Sequence, residues 1–210
     1  MFDMFGGTSM GAFLISALNK PKNSYDLGYP MHTTLDILEF FKKNLNKFFK
    51  PNPTVVDKKT GKIVPIKAKL MGEPLYQNKS LKKLLDVYFF ENNINLLVNQ
   101  ISIPAYEDNS GDTFWFENDV CDDHSDWPVS EVVQASMMSP GYFDSMVIGD
   151  EEFGFNFLDG SIAYNNPAKH MVANAISKGV DIEDIFVLSI GSGKPKMHGR
   201  QADKKLFWEE

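Results

Sequence analysis

Cysteine is almost absent from this sequence. Its 210 residues include one cysteine, Cys121, so no disulfide can form within the chain. A single free thiol is typical of proteins from a reducing compartment such as the cytoplasm. Basic residues are also few, since 21 lysines and arginines stand against 28 aspartates and glutamates and the net charge is −7. A nucleic-acid partner needs a basic face that neutralises phosphates, so the composition argues against one.

Long hydrophobic runs are missing as well. No stretch reaches the roughly 20 apolar residues that span a bilayer. The first apolar run contains Asp3 and has no lysine or arginine ahead of it, so it does not resemble a secretory signal. We expect a cytoplasmic protein whose membrane contact is peripheral. One segment, 35–49, fits such contact as an amphipathic basic helix, although its pattern favours a helix that packs against the core and exposes a solvated face. The segment contains Lys42, Lys43 and Lys47, and Lys50 follows it directly.

Predicted strands and helices alternate along the chain. Helical periodicity and end signals predict helices at 10–18, at 35–49, at 80–89, at a short segment capped by Ser130, and from Pro167 to Lys178 with Gly179 as the C-cap. Apolar runs predict strands at 2–6, 99–106, 113–118, 153–158 and 185–190. This alternation is typical of an α/β fold with a largely parallel central sheet flanked by helices. We expect one domain over 1–195 and a polar C-terminal tail over 196–210.

The segment Gly7-Thr8-Ser9-Met10-Gly11 has the pattern G-x-S-x-G where the first strand meets the first helix. A sharp strand-to-helix turn lifts a serine side chain clear of the backbone. It also aims the N–H groups of the helix at the place where negative charge forms. Such a crowded turn requires glycine on both sides of the serine. Ser9 is therefore a candidate nucleophile, and a structural serine in a glycine-rich turn is the alternative.

A serine hydroxyl is a poor nucleophile until a base takes its proton. Asp159 is the candidate base because it ends a predicted strand and is followed by Gly160 and Ser161, which are small enough for a close approach. The C-terminal ends of parallel strands lie at one edge of a sheet. We therefore expect Ser9 and Asp159 to meet there. The alternative is that Asp159 only caps a turn.

Other polar groups form weaker patterns. His170 or His198 would be the base in a Ser-His-Asp esterase of the α/β-hydrolase kind. In that fold, however, several strands precede the nucleophile, whereas almost nothing precedes it here. The run 121–126 holds a cysteine, a histidine and carboxylates, yet adjacent ligands rarely form a closed metal site. The segment 191–195 lacks the earlier glycine of a phosphate-binding loop. We predict neither a metal nor a cofactor.

Together these segments resemble the patatin-like phospholipase family. The stretch "FDMFGGTSMGA" is similar to the family's nucleophile elbow, and "FLDGSIAYNNP" is similar to its Asp-Gly segment. Counterparts also exist for "ISIPAYED", "VVQASMMSPGYF" and "VLSIGSGKP". The resemblance implies a three-layer α/β fold and a metal-independent lipid acyl hydrolase with a Ser-Asp dyad. Ser9 would be its nucleophile and Asp159 its general base, acting on a glycerolipid of a membrane or lipid droplet.

The resemblance departs from the family pattern in two places. The family has a further strand and a glycine-rich, arginine-containing loop upstream of the nucleophile elbow, and neither precedes the elbow strand here, so we expect an N-terminally truncated sequence. In the family, that loop supplies the main oxyanion donors. Without it, the N–H of Met10 and the helix dipole would remain to stabilise the oxyanion. Loss of one such donor typically slows a reaction about 10²–10³-fold. The chain is thus either an acyl hydrolase or an impaired relative that binds lipid or protein. Ser161 also stands where the family has Gly or Ala after Asp-Gly. Because serine is small, we expect the site to tolerate this replacement.

Overall fold

The computed structural model describes residues 2–23, 26–52, 55–56, 63–64, 74–90, 92–119, 126–149 and 154–193. The polar run at 121–125, His198 and the predicted tail at 196–210 lie outside the described residues. Within the described ranges, no helix is long and apolar enough to cross a membrane. The same ranges contain no group of three or more histidine, cysteine, aspartate or glutamate side chains that could hold a metal ion.

Helices and strands are mixed throughout the described part of the chain. The helices are α1 (Met10–Asn19), α2 (Thr34–Phe48), α3 (Asn78–Phe89), α4 (Val129–Ser136) and α5 (Ala168–Ser177). The strands are β1 (Met4–Gly6), β2 (Pro21–Asn23), β3 (Asp26–Pro30), β4 (Val55–Val56), β5 (Ile63–Val64), β6 (Gln100–Glu107), β7 (Asp112–Glu117), β8 (Met146–Ile148) and β9 (Phe155–Asp159). Two pairs, β2–β3 and β4–β5, are separate hairpins. The predicted α/β class is confirmed.

The helix ends follow from local sequence in part. Thr33 and Asp36 form a reciprocal capping box at the start of α2. Asn166 Oδ1 accepts the N–H of Ala168 at 3.0 Å and so caps α5. Gly179 has a φ of 89° and ends that segment as predicted. The predicted cap at Ser130 is wrong, because α4 begins one residue earlier and Ser130 is buried inside it.

The main sheet is built around β6. Along one edge β6 pairs with β7, and along the other it pairs with both β1 and β9. Among the described residues only the β1–β6 pairing is parallel, while β6–β7, β6–β9 and β8–β9 are antiparallel. The sheet is therefore less parallel than the alternation of elements predicts. Short links join β6 to β7 and β8 to β9, and a parallel pair needs a crossover of a dozen or more residues.

The predicted strand at 185–190 is wrong. These residues have no strand pairing, and the side chains of Phe186 and Ile190 are 78% and 84% exposed. The Phe186 ring stacks on that of Phe2 with 6.4 Å between centroids. The run has the composition of a buried strand, but a strand forms only where a neighbour satisfies its backbone groups. None of the described strands does so here.

Helices cover both faces of the sheet. On one face Ile101, Ile103 and Ala105 of β6 are fully buried in a core with α1, α2, α3 and α4. Side chains alternate between faces along a strand, so the neighbours of these residues point the other way. On that second face the Trp115 ring stacks on His170 of α5 with 3.6 Å between centroids. The arrangement has the three layers that the resemblance implies.

Glu107, at the end of β6, is a buried carboxylate that closes the turn to β7. It is 5% exposed and accepts backbone N–H groups of Ser110 at 2.7 Å, Asn156 at 2.9 Å and Asn109 at 3.3 Å. Burial by itself raises the pKa of this carboxyl. The hydrogen bonds from Asn156, Ser110 and Asn109 outweigh that effect, so the pKa of Glu107 lies below its ordinary value.

We expect Glu107→Gln to lower the free energy of unfolding by about 1–3 kcal/mol at neutral pH, because an amide cannot accept all three N–H groups. The carboxyl has a lower pKa folded than unfolded. Its contribution is therefore complete above the ordinary glutamate pKa and is lost as pH falls through the lowered value. Urea denaturation from pH 7 to pH 3 measures this, with Glu39→Gln, on the exposed side of α2, as the charge control. A difference in the free energy of unfolding between Glu107→Gln and the wild type that stays constant with pH would contradict the prediction.

Candidate active site

Two strands run toward each other along one edge of β6. β1 is parallel to β6 and ends at Gly6, opposite Ser102. β9 is antiparallel to β6 and ends at Asp159, opposite Ala105. The C-terminal ends of both strands therefore meet over the short stretch of β6 that includes Pro104. The sequence predicts a meeting at the common edge of parallel strands, whereas the structure achieves it with opposed strands.

The meeting point brings Ser9 and Asp159 into direct contact. The Ser9 hydroxyl donates to Asp159 Oδ2 at 2.7 Å. The other carboxylate oxygen, Oδ1, accepts the N–H of Ser161 at 2.8 Å. Asp159 is 2% exposed, and Ser9 is half-buried. The carboxylate is thus held from one side by the backbone and presents its second oxygen to the serine.

Ser9 has a strained backbone conformation, with φ at 57° and ψ at −120°. A non-glycine residue in such a region costs on the order of 1–3 kcal/mol and persists only where its surroundings hold it. Ala12 N–H donates to Ser9 O at 2.9 Å, and Gly11 N–H donates to Thr8 O at 2.8 Å. On the other side, Ser9 N–H donates to the hydroxyl of Ser136 at 3.0 Å. The turn therefore has the sharp geometry of a nucleophile elbow.

Two glycines allow the close approaches around this turn. A Cβ on Gly7 would lie 2.3 Å from the carbonyl oxygen of Gly11, and a Cβ on Gly160 would lie 2.2 Å from that of Pro104. A Cβ on Gly11 would have nothing within 4 Å beyond its own helix. The predicted need for glycine on both sides of Ser9 is therefore confirmed for Gly7 and wrong for Gly11, whose missing side chain would point into open space.

The remaining residues of the two motifs have separate places. Thr8 Oγ1 donates to the carbonyl of Tyr164 at 2.9 Å and ties the elbow to the chain beyond Asp159. The N–H of Met10 belongs to the first turn of α1, where helical N–H groups have no acceptor in their own helix. It has no acceptor among the described residues. Ser161 is exposed, so a serine in place of Gly or Ala is accommodated.

The structure does not bring His170 to Ser9. His170 Nε2 lies 3.0 Å from Glu117 Oε1, and its ring stacks on Trp115. This pair belongs to the contact between α5 and β7. The Ser9 hydroxyl donates to a carboxylate instead, with no histidine between them.

Sequence reasoning missed Ser136 and Pro104. Ser136 is fully buried, accepts the N–H of Ser9, and donates its own proton to the Pro104 carbonyl at 2.7 Å. A usable signal was the proline inside the predicted strand 99–106, because proline in a strand marks a place without a ladder partner for its nitrogen. No comparable local signal distinguishes Ser136 from the other serines.

Comparison with known proteins agrees with these motifs. The family model described as patatin-like phospholipase matches residues 1–172. Patatin-like protein 1 of Arabidopsis thaliana is 26% identical, over 97% of this chain and 52% of its own length. Patatin-08 of Solanum tuberosum is 22% identical, over 91% of this chain and 50% of its own length. This chain thus spans about half the length of these curated relatives.

Among solved structures, VipD from Legionella pneumophila aligns with 63% of this chain and 20% of its own, at 17% identity. The TM-score of 0.26 is too low for a comparison of the two folds. The family model, in contrast, covers most of the sequence, including both Ser9 and Asp159. The chain belongs to the patatin-like phospholipase family.

Proposed function

We propose that the chain is a serine hydrolase of lipid acyl esters, with Ser9 as its nucleophile and Asp159 as its general base. One observation carries the proposal, the 2.7 Å hydrogen bond from the Ser9 hydroxyl to the Asp159 carboxylate. A nucleophile in direct hydrogen-bond contact with its base is the arrangement that activates a hydroxyl. Membership of a phospholipase family supports lipid esters as the substrate class.

In the first half-reaction, Ser9 Oγ attacks the ester carbonyl carbon while its proton moves to Asp159 Oδ2. The carbonyl oxygen becomes an oxyanion, for which the N–H of Met10 and the N-terminal end of α1 are the nearby donors. The tetrahedral intermediate collapses, and the alcohol leaves with the proton from Asp159. Ser9 then carries the acyl group as an ester.

In the second half-reaction, a water molecule gives a proton to Asp159 and attacks the acyl-enzyme. The second tetrahedral intermediate releases the fatty acid, and the proton returns to Ser9 Oγ. Asp159 suits both steps because the N–H of Ser161 holds its Oδ1 and leaves Oδ2 directed at the serine. A fixed carboxylate avoids reorientation at the moment of proton transfer.

We infer that the substrate is a glycerolipid presented at a membrane or lipid-droplet surface. The solvent side of α2 supports such contact, because Leu35, Leu38 and Leu45 are 70%, 44% and 46% exposed. Lys42 and Lys43 are exposed on the same helix. Apolar side chains with flanking lysines suit the boundary between headgroups and acyl chains. The cytoplasmic location stays a prediction from the single cysteine.

A fluorophosphonate probe tests the nucleophile directly, because it reacts covalently with activated serines. We expect the purified chain to take up one label, located on Ser9 by peptide mass spectrometry. Ser9→Ala should take up none. If the chain is folded by circular dichroism yet unlabelled, the hydrolase proposal is wrong. The impaired, lipid- or protein-binding relative is then the better description, and binding to lipid vesicles becomes the relevant measurement.

A histidine variant separates the dyad from a Ser-His-Asp esterase. His170→Ala should be labelled at the wild-type rate, since His170 contacts Glu117 and Trp115 and does not contact Ser9. The rate of probe uptake at fixed concentration is the measurement. Loss of labelling in a variant that melts at the wild-type temperature would show that the proton passes through His170 and would exclude the dyad.

A further inference from the structure

The edge of β6 has a gap where β1 and β9 meet. On this edge of β6, β1 pairs as far as Ser102 and β9 pairs from Ala105 onward. The carbonyl of Pro104 lies between them and has no strand partner on this edge. A buried carbonyl needs a donor. The hydroxyl of Ser136, the last residue of α4, supplies it at 2.7 Å. A side chain thus takes the place of a strand at the point where the two ends converge.

The same hydroxyl also reaches the nucleophile. Ser136 Oγ accepts the N–H of Ser9 at 3.0 Å while it donates to Pro104. A serine hydroxyl has one proton to donate and lone pairs to accept, so both bonds form at once. Ser136 is fully buried. Water therefore does not compete for either bond, and the hydroxyl links the strained elbow to the centre of the sheet.

The end of α4 holds the second member of the dyad as well. The N–H of Asp159 donates to the carbonyl of Met138 at 2.9 Å, two residues beyond Ser136. Met138 is fully buried and belongs to the hydrophobic core. One short segment, 136–138, therefore touches the backbone of both Ser9 and Asp159. This segment thus connects the backbones of the two residues of the proposed dyad.

We propose that Ser136 is a positioning residue, which holds the backbone of Ser9 so that its hydroxyl stays in contact with Asp159. This inference rests on the proposed function for its catalytic consequence. Ser136 donates its only proton to Pro104 and transfers none. Its loss would leave the N–H of Ser9 and the carbonyl of Pro104 without partners, and the elbow would be free to relax from its unfavourable φ of 57°.

Ser136→Ala tests the role, with Ser16→Ala as its matched control. Ser16 is also fully buried, but its hydroxyl has no hydrogen-bond partner among the described residues. We expect Ser136→Ala to lower the maximal rate of fluorophosphonate labelling about ten- to a hundredfold, with little change in the probe concentration that gives half of that rate. Ser16→Ala should label as the wild type does. Ser136→Thr keeps a hydroxyl and should restore most of the rate.

Hydrogen exchange at the Ser9 amide tests the hydrogen bond from Ser9 to Ser136 independently of any activity measurement. In Ser136→Ala this amide should lose protection, while in Ser16→Ala it should keep it. If the wild type is labelled and Ser136→Ala is labelled equally fast, the positioning role is wrong while the proposed function stands. If the folded wild type takes no label, the proposed function fails, and unchanged Ser9 exchange in Ser136→Ala then overturns the structural role too.

Discussion

Asp159→Asn is expected to slow the acylation of Ser9 by about 10²–10⁴-fold. Asparagine has nearly the shape of aspartate, and its oxygen can still accept the N–H of Ser161 at the Oδ1 position. Its NH₂ group then takes the place of Oδ2, the oxygen that in the wild type accepts the hydrogen bond of the Ser9 hydroxyl. An amide nitrogen does not take that proton, so the hydroxyl loses its base while the elbow keeps its geometry.

Fluorophosphonate labelling rate and thermal unfolding together measure this effect. The unfolding temperature of Asp159→Asn should be no lower than that of the wild type, because a neutral amide costs less to bury than a carboxylate. Asp144→Asn is the charge control, since Asp144 is exposed. Labelling of Asp159→Asn at the wild-type rate would remove Asp159 from the mechanism and leave it as a turn-capping residue.

Gly7→Ala is expected to destabilise the fold by about 1–3 kcal/mol, the usual cost of forcing an extra methyl into a packed site. Its Cβ would stand 2.3 Å from the carbonyl oxygen of Gly11 and 2.5 Å from the carbonyl carbon. Both atoms are helix backbone and cannot swing aside. The start of α1 would have to move, and Ser9 with it, so labelling should fall as well. Urea denaturation and labelling rate are the two measurements.

Gly11→Ala provides the contrast, because it adds the same methyl to the other glycine of the motif. Nothing lies within 4 Å of that Cβ beyond its own helix, and φ is not positive there. Alanine is preferred over glycine in a helix by up to about 1 kcal/mol. The variant should therefore be as stable as the wild type or slightly more so. Equal destabilisation by both substitutions would show that the crowding around Gly7 does not decide stability.

Much of the fold was open to prediction because its signals are local. Helix α1 and the strand before it follow from the apolar pattern around the elbow, and the β6–β7 hairpin follows from two apolar runs with a polar turn between them. The caps of α5 at Asn166 and Gly179 are also local. The residues 185–190 show where this reasoning fails. Strand composition is a local property, but strand formation depends on a neighbour that the run itself does not encode.

The candidate site divides in the same way. Ser9 and Asp159 stand in motifs whose residue types predict a nucleophile and a base, so the sequence by itself predicted that the two would meet, and it pointed to the family. Only the tertiary structure decided that β1 and β9 meet head-on along β6, that Gly7 is crowded while Gly11 is not, and that Ser136 bridges Ser9 and Pro104. The physical reason is that a motif specifies side chains and nearby backbone. Hydrogen bonds between residues 32 or 127 positions apart, such as those of Ser136, arise only when the sheet and α4 have packed.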